Sequence, residues 1–280
     1  MSLLWHDRMH AFLAPSQVVL TRSYKGIKPK PATRLSVECE HKPNGIMPES
    51  PLAHLEQMIA DADGADLIVT LSNHFMRYAV LAPQKNIANP AELQAYVGFH
   101  MHEIFGERAL EWMTSVSAWD PLRGGVCAAF ERSLFERLEE LAARCKTRLK
   151  YVEPYLTAAF DHWHQRFDDQ RAWFALVEAG RFCLVLLENG AWQRVSNQRV
   201  VENIENELLA ALDQEAILFS ERKEAIEVVY LFAPEHPELI LPEDCGWRII
   251  PLHSESVSAP LHYPSTSIVP DTASECAASS

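Results

Sequence analysis

Short apolar runs separated by tight turns occur twice in the sequence, and each copy predicts a β-hairpin. The first copy extends from Ala11 to Gly26 and the second from Ala175 to Gly190, so both have the same length and lie 164 residues apart. Apolar runs bounded by turn residues are typical of strands. Two related halves that each open with a hairpin predict a duplicated α/β domain with a cleft between the halves.

The hydrophobic pattern of the remaining chain alternates between strand-like and helix-like periods. Strands are predicted at 33–40, 66–72, 74–81, 111–119, 125–130, 148–153, 191–195, 226–232 and 247–251. Helices are predicted from Pro51 onward, at 90–105 with Asn89 as the N-cap, and at 131–145, 154–164 and 201–219. Three strands followed by helices and further strands indicate an α/β fold with a mixed sheet in each half.

Two of these helices carry an apolar stripe that is expected to face the core. In the helix at 131–145 the stripe consists of Leu134, Phe135, Leu138, Leu141 and Ala142. In the helix at 201–219 it consists of Ile204, Leu208, Leu209, Leu212 and Ile217. The second helix is also rich in charged residues, so a partner-binding face is the alternative there.

The polar stretch at 165–170 is the expected boundary between the halves. It divides the chain into a first subdomain at 1–165 and a second subdomain at 166–253. The remaining residues, 254–280, are rich in Ser, Pro and Ala and have little apolar periodicity, which predicts a disordered tail.

Composition and charge narrow the possible classes of function. The chain has 38 acidic and 25 basic residues and a formal net charge of −13, which argues against general nucleic-acid binding because few cations are available to replace phosphate counterions. No stretch reaches the roughly twenty apolar residues of a membrane span, and the N-terminus has no apolar signal core. Six scattered cysteines without a CxxC pair indicate reduced core residues. We therefore expect a cytoplasmic protein without direct membrane insertion.

The element order and one segment resemble a known superfamily over roughly residues 6–251. The order β-β-β-α-β in both halves is similar to that of the actin-like ATPase (RNase H-like) superfamily. The segment 65–81 has an apolar strand ending in Leu71-Ser72, a short polar step, and then Phe75-x-Arg77-Tyr78. This segment resembles the actin-like cytoplasmic domains of bacterial envelope machines, namely the PilM-like proteins of type IV pili and the L-type proteins of type II secretion. The resemblance implies a duplicated actin-like fold with two subdomains, each opening with a β-hairpin and containing a mixed sheet.

In active members of this superfamily two hairpin turns hold the phosphates of ATP, and here both turns are altered. The first usually reads Asp-x-Gly-Ser/Thr, in which the acid positions hydrated magnesium and glycine lets backbone amides approach phosphate. The corresponding turn, Ala14-Pro15-Ser16, has neither acid nor glycine, and its proline lacks an amide donor. The second usually reads Asp-x-Gly-Gly and here is Glu178-Ala179-Gly180, while the paired glycines that pack against adenine are missing from 233–246. We therefore expect a pseudo-ATPase with no catalytic residues and no cofactor.

Histidines and carboxylates give no recognisable metal-binding or catalytic pattern. The densest histidine groups, His100-Met101-His102 and His162-Trp163-His164, have i, i+2 spacing, which on a helix points the two rings in different directions. No metal site is therefore expected. The positions of Glu153, Asp161 and Glu178 allow them to meet at the cleft, with solvated carboxylates at strand ends as the alternative.

The resemblance implies a scaffold that binds a peptide rather than an enzyme. PilM-like proteins capture a short peptide from the cytoplasmic tail of a membrane partner, so the expected partner is the cytoplasmic segment of an inner-membrane protein. The expected location is the cytoplasm, or the inner membrane through that partner. Arg77 and Tyr78, in the strand pair 66–81, are the candidate binding residues; because neighbouring strand residues face opposite ways, at most one contacts a given partner, and a core Tyr78 with a solvated Arg77 is the alternative. The other functional alternatives are a nucleotide-dependent enzyme with drifted motifs and an α/β protein whose resemblance is accidental.

Overall fold

The computed structural model of the chain describes residues 6–24, 30–39, 49–167, 171–219 and 227–253. The predicted end of the first hairpin at Gly26 and the predicted tail at 254–280 lie outside these residues. None of the described helices is both long and apolar enough to cross a bilayer.

Two five-stranded mixed sheets form the framework of the described chain. The strands are β1 (Arg8–Leu13), β2 (Gln17–Ser23), β3 (Thr33–Glu38), β4 (Asp66–Leu71), β5 (Arg77–Leu81), β6 (Trp112–Asp120), β7 (Gly124–Glu131), β8 (Arg148–Pro154), β9 (Arg171–Glu178), β10 (Arg181–Glu188), β11 (Ala191–Arg199), β12 (Val228–Phe232) and β13 (Arg248–Pro251). The helices are α1 (Glu49–Ile59), α2 (Pro90–Phe105), α3 (Arg132–Arg144), α4 (Tyr155–Trp163) and α5 (Ile204–Phe219). The two sheets have the orders β3-β2-β1-β4-β8 and β11-β10-β9-β12-β13.

The two sheets repeat the same strand order, and their hairpins repeat the same register. Ala11 pairs with Leu20 in the first hairpin, and Ala175 pairs with Leu184 in the second, at the predicted offset of 164 residues. In each sheet the first hairpin strand is the central strand, antiparallel to its hairpin partner and parallel to the strand that follows the first helix of that half. The prediction of a duplicated α/β fold whose halves each open with a hairpin is confirmed.

A third sheet, which the sequence did not predict, is inserted between β4 and β8. It contains three antiparallel strands in the order β5-β7-β6, and α2 packs on it through Val97 and Met101. The sequence predicted a strand at 74–81 directly after β4, but residues 72–76 form a turn and β5 begins at Arg77 in this other sheet. β5 cannot begin earlier in the chain, because the preceding residues Ser72 and Asn73 are buried and form hydrogen bonds with the second half.

Local helix signals are largely confirmed. Asn89 caps α2 by accepting a hydrogen bond from the backbone N–H of Glu92 at 3.0 Å, and all five stripe residues of α3 are buried. In α5, Leu208 and Leu212 are buried as predicted, but Ile217 is 80% exposed, so its assignment to the core is wrong. Ile217 lies two positions beyond the buried Glu215, which turns it to the opposite side of the helix.

The hydrophobic core continues across the junction between the two halves. One cluster of buried residues combines Leu13 and Leu156 from the first half with Phe174 from the second. At the end of α4, Trp163 packs against Phe232 of β12 with ring centroids 5.5 Å apart. A separate apolar cluster lies between α5 and the other face of the second sheet. At these described residues the halves therefore meet in shared apolar packing rather than in a solvent-filled cleft.

Candidate functional site

The turns of the two hairpins meet where the central parallel strands end. Because β1 and β4 are parallel neighbours, the chain leaving β4 passes the β1–β2 turn, and Ser72 donates its backbone N–H to the carbonyl of Leu13 at 2.9 Å. The same segment, 72–76, then reaches the β9–β10 turn of the second half. Ligands of open α/β sheets bind at the carboxyl ends of parallel strands, so this junction is the candidate site.

The first turn is closed by the chain itself. Ala14 donates its N–H to the carbonyl of Gln17 at 3.0 Å, and the carbonyl of Ser16 accepts from the N–H of Cys39 at 2.7 Å. Ala14 is buried, and Pro15 has no N–H to donate. The turn therefore offers no carboxylate for magnesium and one amide fewer for a phosphate.

The second turn is covered by side chains from both halves. Ala179 donates its N–H to Glu235 Oε2 at 2.8 Å, and its carbonyl accepts from His74 Nε2 at 2.9 Å. Gly180 has a φ of +73°, which favours glycine, and its carbonyl accepts from the N–H of Val200 at 3.0 Å. A phosphate-binding turn directs backbone groups toward its ligand, whereas these groups bond to the chain itself.

Glu178 forms a buried polar link between the halves. Its Oε1 accepts from Ser72 Oγ at 2.6 Å, and its Oε2 accepts from the backbone N–H of Asn73 at 3.1 Å and from Asn73 Nδ2 at 2.5 Å. The pKa of Glu178 is raised to about 7, because burial and the neighbouring Glu235 carboxylate raise it more than the hydrogen bonds from Ser72 and Asn73 lower it. The donors favour the ionised form and burial favours the neutral acid, so this carboxyl group titrates near neutral pH.

Further hydrogen bonds hold the Asn73 segment against neighbouring strands. The hydroxyl of Tyr78 donates to Asn73 Oδ1 at 2.6 Å. Asn197 Nδ2 donates to the carbonyls of Asn73 at 2.9 Å and Met76 at 3.2 Å. Arg181 Nη1 in turn donates to Asn197 Oδ1 at 2.8 Å, and burial lowers the pKa of this guanidinium. The network fixes the segment after β4 to both β5 and β11.

Glu153 and Asp161 form a second pair of carboxyl groups, beside α4. Glu153 Oε1 accepts from Thr70 Oγ1 at 2.7 Å. Burial raises the pKa of Glu153 to about 7, and the charge of Asp161 raises it as well. Burial also raises the pKa of Asp161. Of the three carboxyl groups noted in the sequence, these two interact, whereas Glu178 has separate partners.

The two candidate binding residues on β5 face different environments, as strand geometry predicts. Tyr78 is 7% exposed and belongs to the buried network, whereas Arg77 is exposed and donates Nη1 to the preceding carbonyl at 2.8 Å. A groove of about 520 Å³ begins at the end of β5 and is bordered by the β6–β7 and β10–β11 turns, with Val80, Arg123 and Trp192 among its lining residues. Of the two candidates, Arg77 is the one accessible to a partner.

The histidines noted in the sequence have individual partners rather than a common centre. His100 Nε2 donates to the carbonyl of Val80 at 3.1 Å, and His102 Nε2 lies 3.4 Å from a Glu107 carboxylate oxygen. Within the residues that the structure describes, no three His, Cys, Asp or Glu side chains converge as metal ligands would.

His74, Asn197 and Glu235 are junction residues that sequence reasoning missed. The one signal that could have found Glu235 is the duplication itself. In the parallel pairings Ala11 faces Val69 and Ala175 faces Leu231, so Asn73 and Glu235 occupy equivalent positions beyond equivalent strands. Asn73 bonds to Glu178 in the hairpin of the opposite half, and Glu235 bonds to Ala179 in the hairpin of its own half, at the same edge of the sheets.

Comparison with known proteins identifies the fold. No family model and no curated protein matches the sequence. Among solved structures, the PilM–PilN type IV pilus biogenesis complex is 14% identical with a TM-score of 0.63, covering 90% of this chain and 89% of the other. The cytoplasmic domain of EpsL, an inner membrane component of the type II secretion system of Vibrio cholerae, is 12% identical with a TM-score of 0.55, covering 89% and 90%.

A protein of unknown function with an actin-like ATPase fold from Bacteroides thetaiotaomicron is also similar. It is 9% identical with a TM-score of 0.54, and the match covers 82% of each chain. At these identities the similarity concerns the fold. The repeated hairpins, the repeated strand order and these three structures together establish that the chain has the actin-like ATPase fold.

Proposed function

We propose that the chain is a catalytically silent actin-like adaptor of a bacterial envelope assembly, either a type IV pilus or a type II secretion apparatus. The proposal rests on one observation: the junction of the two hairpin turns is occupied by the chain's own side chains. Where active members of the fold hold nucleotide phosphates, the N–H of Ala179 bonds to Glu235, and Glu178 bonds to Ser72 and Asn73. A fold that is retained while its phosphate turns bond to the chain's own side chains favours binding over catalysis.

The similar solved structures support the choice of assembly. One is a type IV pilus biogenesis complex, and another is the cytoplasmic domain of an inner membrane component of type II secretion. By analogy, the partner is the cytoplasmic segment of an inner-membrane protein, and the chain acts in the cytoplasm or at the membrane through that partner.

The proposed contact surface is the exposed side of the segment 66–81. Tyr78 contributes indirectly, because its hydroxyl holds Asn73 inside the junction. Arg77 is exposed on the same strand and provides a cation on a chain whose net charge is −13. Arginine is enriched among the residues that contribute most to binding at protein interfaces.

ATP with magnesium is expected to leave the melting temperature unchanged. The N–H of Ala179 is already bonded to Glu235, and the first turn has no acid to position the metal. A ligand at a hundredfold excess over its Kd would stabilise the fold by about 2.7 kcal/mol, which a thermal melt detects readily. The measurement is a thermal melt with ATP and magnesium, with magnesium alone as the control.

An ATP-dependent rise in the melting temperature would contradict the silent adaptor. It would support the alternative, a nucleotide-dependent enzyme with drifted motifs. Hydrolysis of ATP by the purified chain, lost on substitution of Glu178, would lead to the same conclusion.

Arg77→Glu is expected to weaken partner binding by about tenfold or more, because arginine is enriched among the interface residues whose truncation costs about 2 kcal/mol or more. The membrane fraction of the source organism supplies the partner, whose cytoplasmic segment is then synthesised and titrated into the chain. Arg248→Glu is the matched control, since Arg248 is an exposed arginine on β13, which belongs to the second five-stranded sheet and not to the sheet of β5.

Equal weakening by the two substitutions would indicate a general charge effect and contradict the proposed surface. Unchanged binding by the Arg77→Glu variant would place the contact elsewhere. Both variants should keep the wild-type melting temperature, because both side chains are exposed.

A further inference from the structure

One half-buried carboxylate connects the two hairpins of the duplicated fold. Glu235 Oε1 accepts from Gln17 Nε2 at 2.8 Å, and Glu235 Oε2 accepts from the backbone N–H of Ala179 at 2.8 Å. Gln17 is the first residue of β2, directly after the first turn, and Ala179 lies within the second turn. The two oxygens of a single anionic group are therefore shared between the halves.

We propose that the Gln17 and Ala179 donors form an anion site between the hairpins, and that Glu235 is its built-in ligand. A backbone N–H and a side-chain amide are the donors that proteins use for carboxylates and phosphates. The carboxylate of Glu235 bridges the Gln17 and Ala179 donors as a separate bound anion would. This inference goes beyond the adaptor function and does not depend on any partner.

The surroundings of the site select for one small anion of low charge. Glu178 lies close enough for the Glu235 charge to raise its pKa, so a second carboxyl group already lies near the site. The His74 ring covers the turn from the other side by bonding to the carbonyl of Ala179. When the Glu235 side chain is removed, the vacated site suits formate or acetate and repels a polyphosphate, because the latter adds several negative charges beside Glu178.

The Glu235→Ala variant tests the proposal by chemical rescue. Its melting temperature is expected to fall by several degrees, and sodium formate or acetate is expected to restore more than half of that loss. Sodium chloride at equal ionic strength should restore none, and the wild-type chain should respond equally to all three salts. In amide NMR spectra, formate should shift the Ala179 resonance of the variant and leave that of the wild type unchanged.

Two further variants keep the test decisive. Glu238→Ala removes an exposed carboxylate from the same loop and should neither lower the melting temperature nor respond to formate. Glu235→Gln keeps one acceptor oxygen and fills the space, so it should fold even if the alanine variant does not, and it should show no rescue and no formate-dependent shift of Ala179.

Three outcomes would overturn the proposal. An unchanged melting temperature of the Glu235→Ala variant would mean that the bridge contributes nothing in solution. Equal restoration by chloride and formate would mean that the loss is general electrostatics rather than an anion site. Undiminished rescue after a second substitution, Gln17→Ala, would mean that the Gln17 amide is not one of the donors.

Discussion

As the pH rises from about 4.5 to about 7, the folded chain is expected to lose up to about 3 kcal/mol of stability through Glu178 alone. The pKa of this carboxyl group is raised to about 7 by burial. Across this window the folded chain holds the proton while the unfolded chain has released it, so the free energy of unfolding decreases as the pH rises and levels off above it. Glu153, whose pKa is also raised to about 7, contributes in the same direction.

Urea unfolding of the Glu178→Gln variant across this pH range isolates the effect. The variant should fold, because Asn73 keeps an oxygen to donate to and the Ser72 hydroxyl can turn from donor to acceptor. Its stability should depend on pH less steeply than that of the wild type. Glu136→Gln removes the same charge from an exposed site on α3 and should keep the wild-type slope. Equal slopes for the Glu178→Gln variant and the wild type would contradict the buried, proton-binding role.

The duplicated framework was predictable because its signals are local. A hairpin pairs residues that are close in the chain, and its register is set by the turn between them. The offset of 164 residues matched the two hairpins to each other, and in the structure Ala11 and Ala175 have equivalent partners. The N-cap of α2 and the stripe of α3 depend on neighbours within two turns of helix, and both were predicted for the same reason.

The inserted sheet could not be predicted from local pattern. The apolar run at 77–81 reads as a strand in any sheet, and its partner β7 lies far along the chain. The sequence also gives no sign that Ser72 and Asn73 end one strand by bonding to Glu178, more than a hundred residues away. The local sequence therefore predicts that a segment is a strand, whereas the sheet to which the strand belongs depends on distant contacts.

The sequence predicted where the candidate site lies but not which residues form it. Altered turns at 14–16 and 178–180 indicated where nucleotide contacts would be lost. What replaces them, the carboxylate of Glu235 and the imidazole of His74, reaches the second turn from separate segments. Glu235 lies in a loop with three prolines, and apart from its place in the duplication it carries no sequence signal for such a contact. Alternation along β5 did anticipate that Arg77 and Tyr78 face opposite environments.

Trp163→Ala is expected to destabilise the whole chain by about 3–5 kcal/mol, as removal of a large buried aromatic side chain typically does. Trp163 is 2% exposed, and its ring packs against Phe232 of the second half. Trp163→Phe is the matched variant. The indole Nε1 has no hydrogen-bond partner among the described residues. Replacing the indole by a benzene ring therefore removes packing volume but no hydrogen bond. The loss of stability in Trp163→Phe should be well under half of that in Trp163→Ala.

Amide hydrogen exchange distinguishes a shared core from two independent ones. Trp163 closes α4 in the first half, so if the halves unfolded separately, its truncation would speed exchange in β4 and leave β12 protected. We expect β4 and β12 to lose protection by the same amount, with circular dichroism and fluorescence following one coincident unfolding transition. Phe232→Ala, in the second half, should have the same effect on exchange. The double variant should lose less stability than the sum of the two single losses, because both substitutions remove the same contact. Additive losses, or protection retained in one sheet, would show that the halves do not share their core.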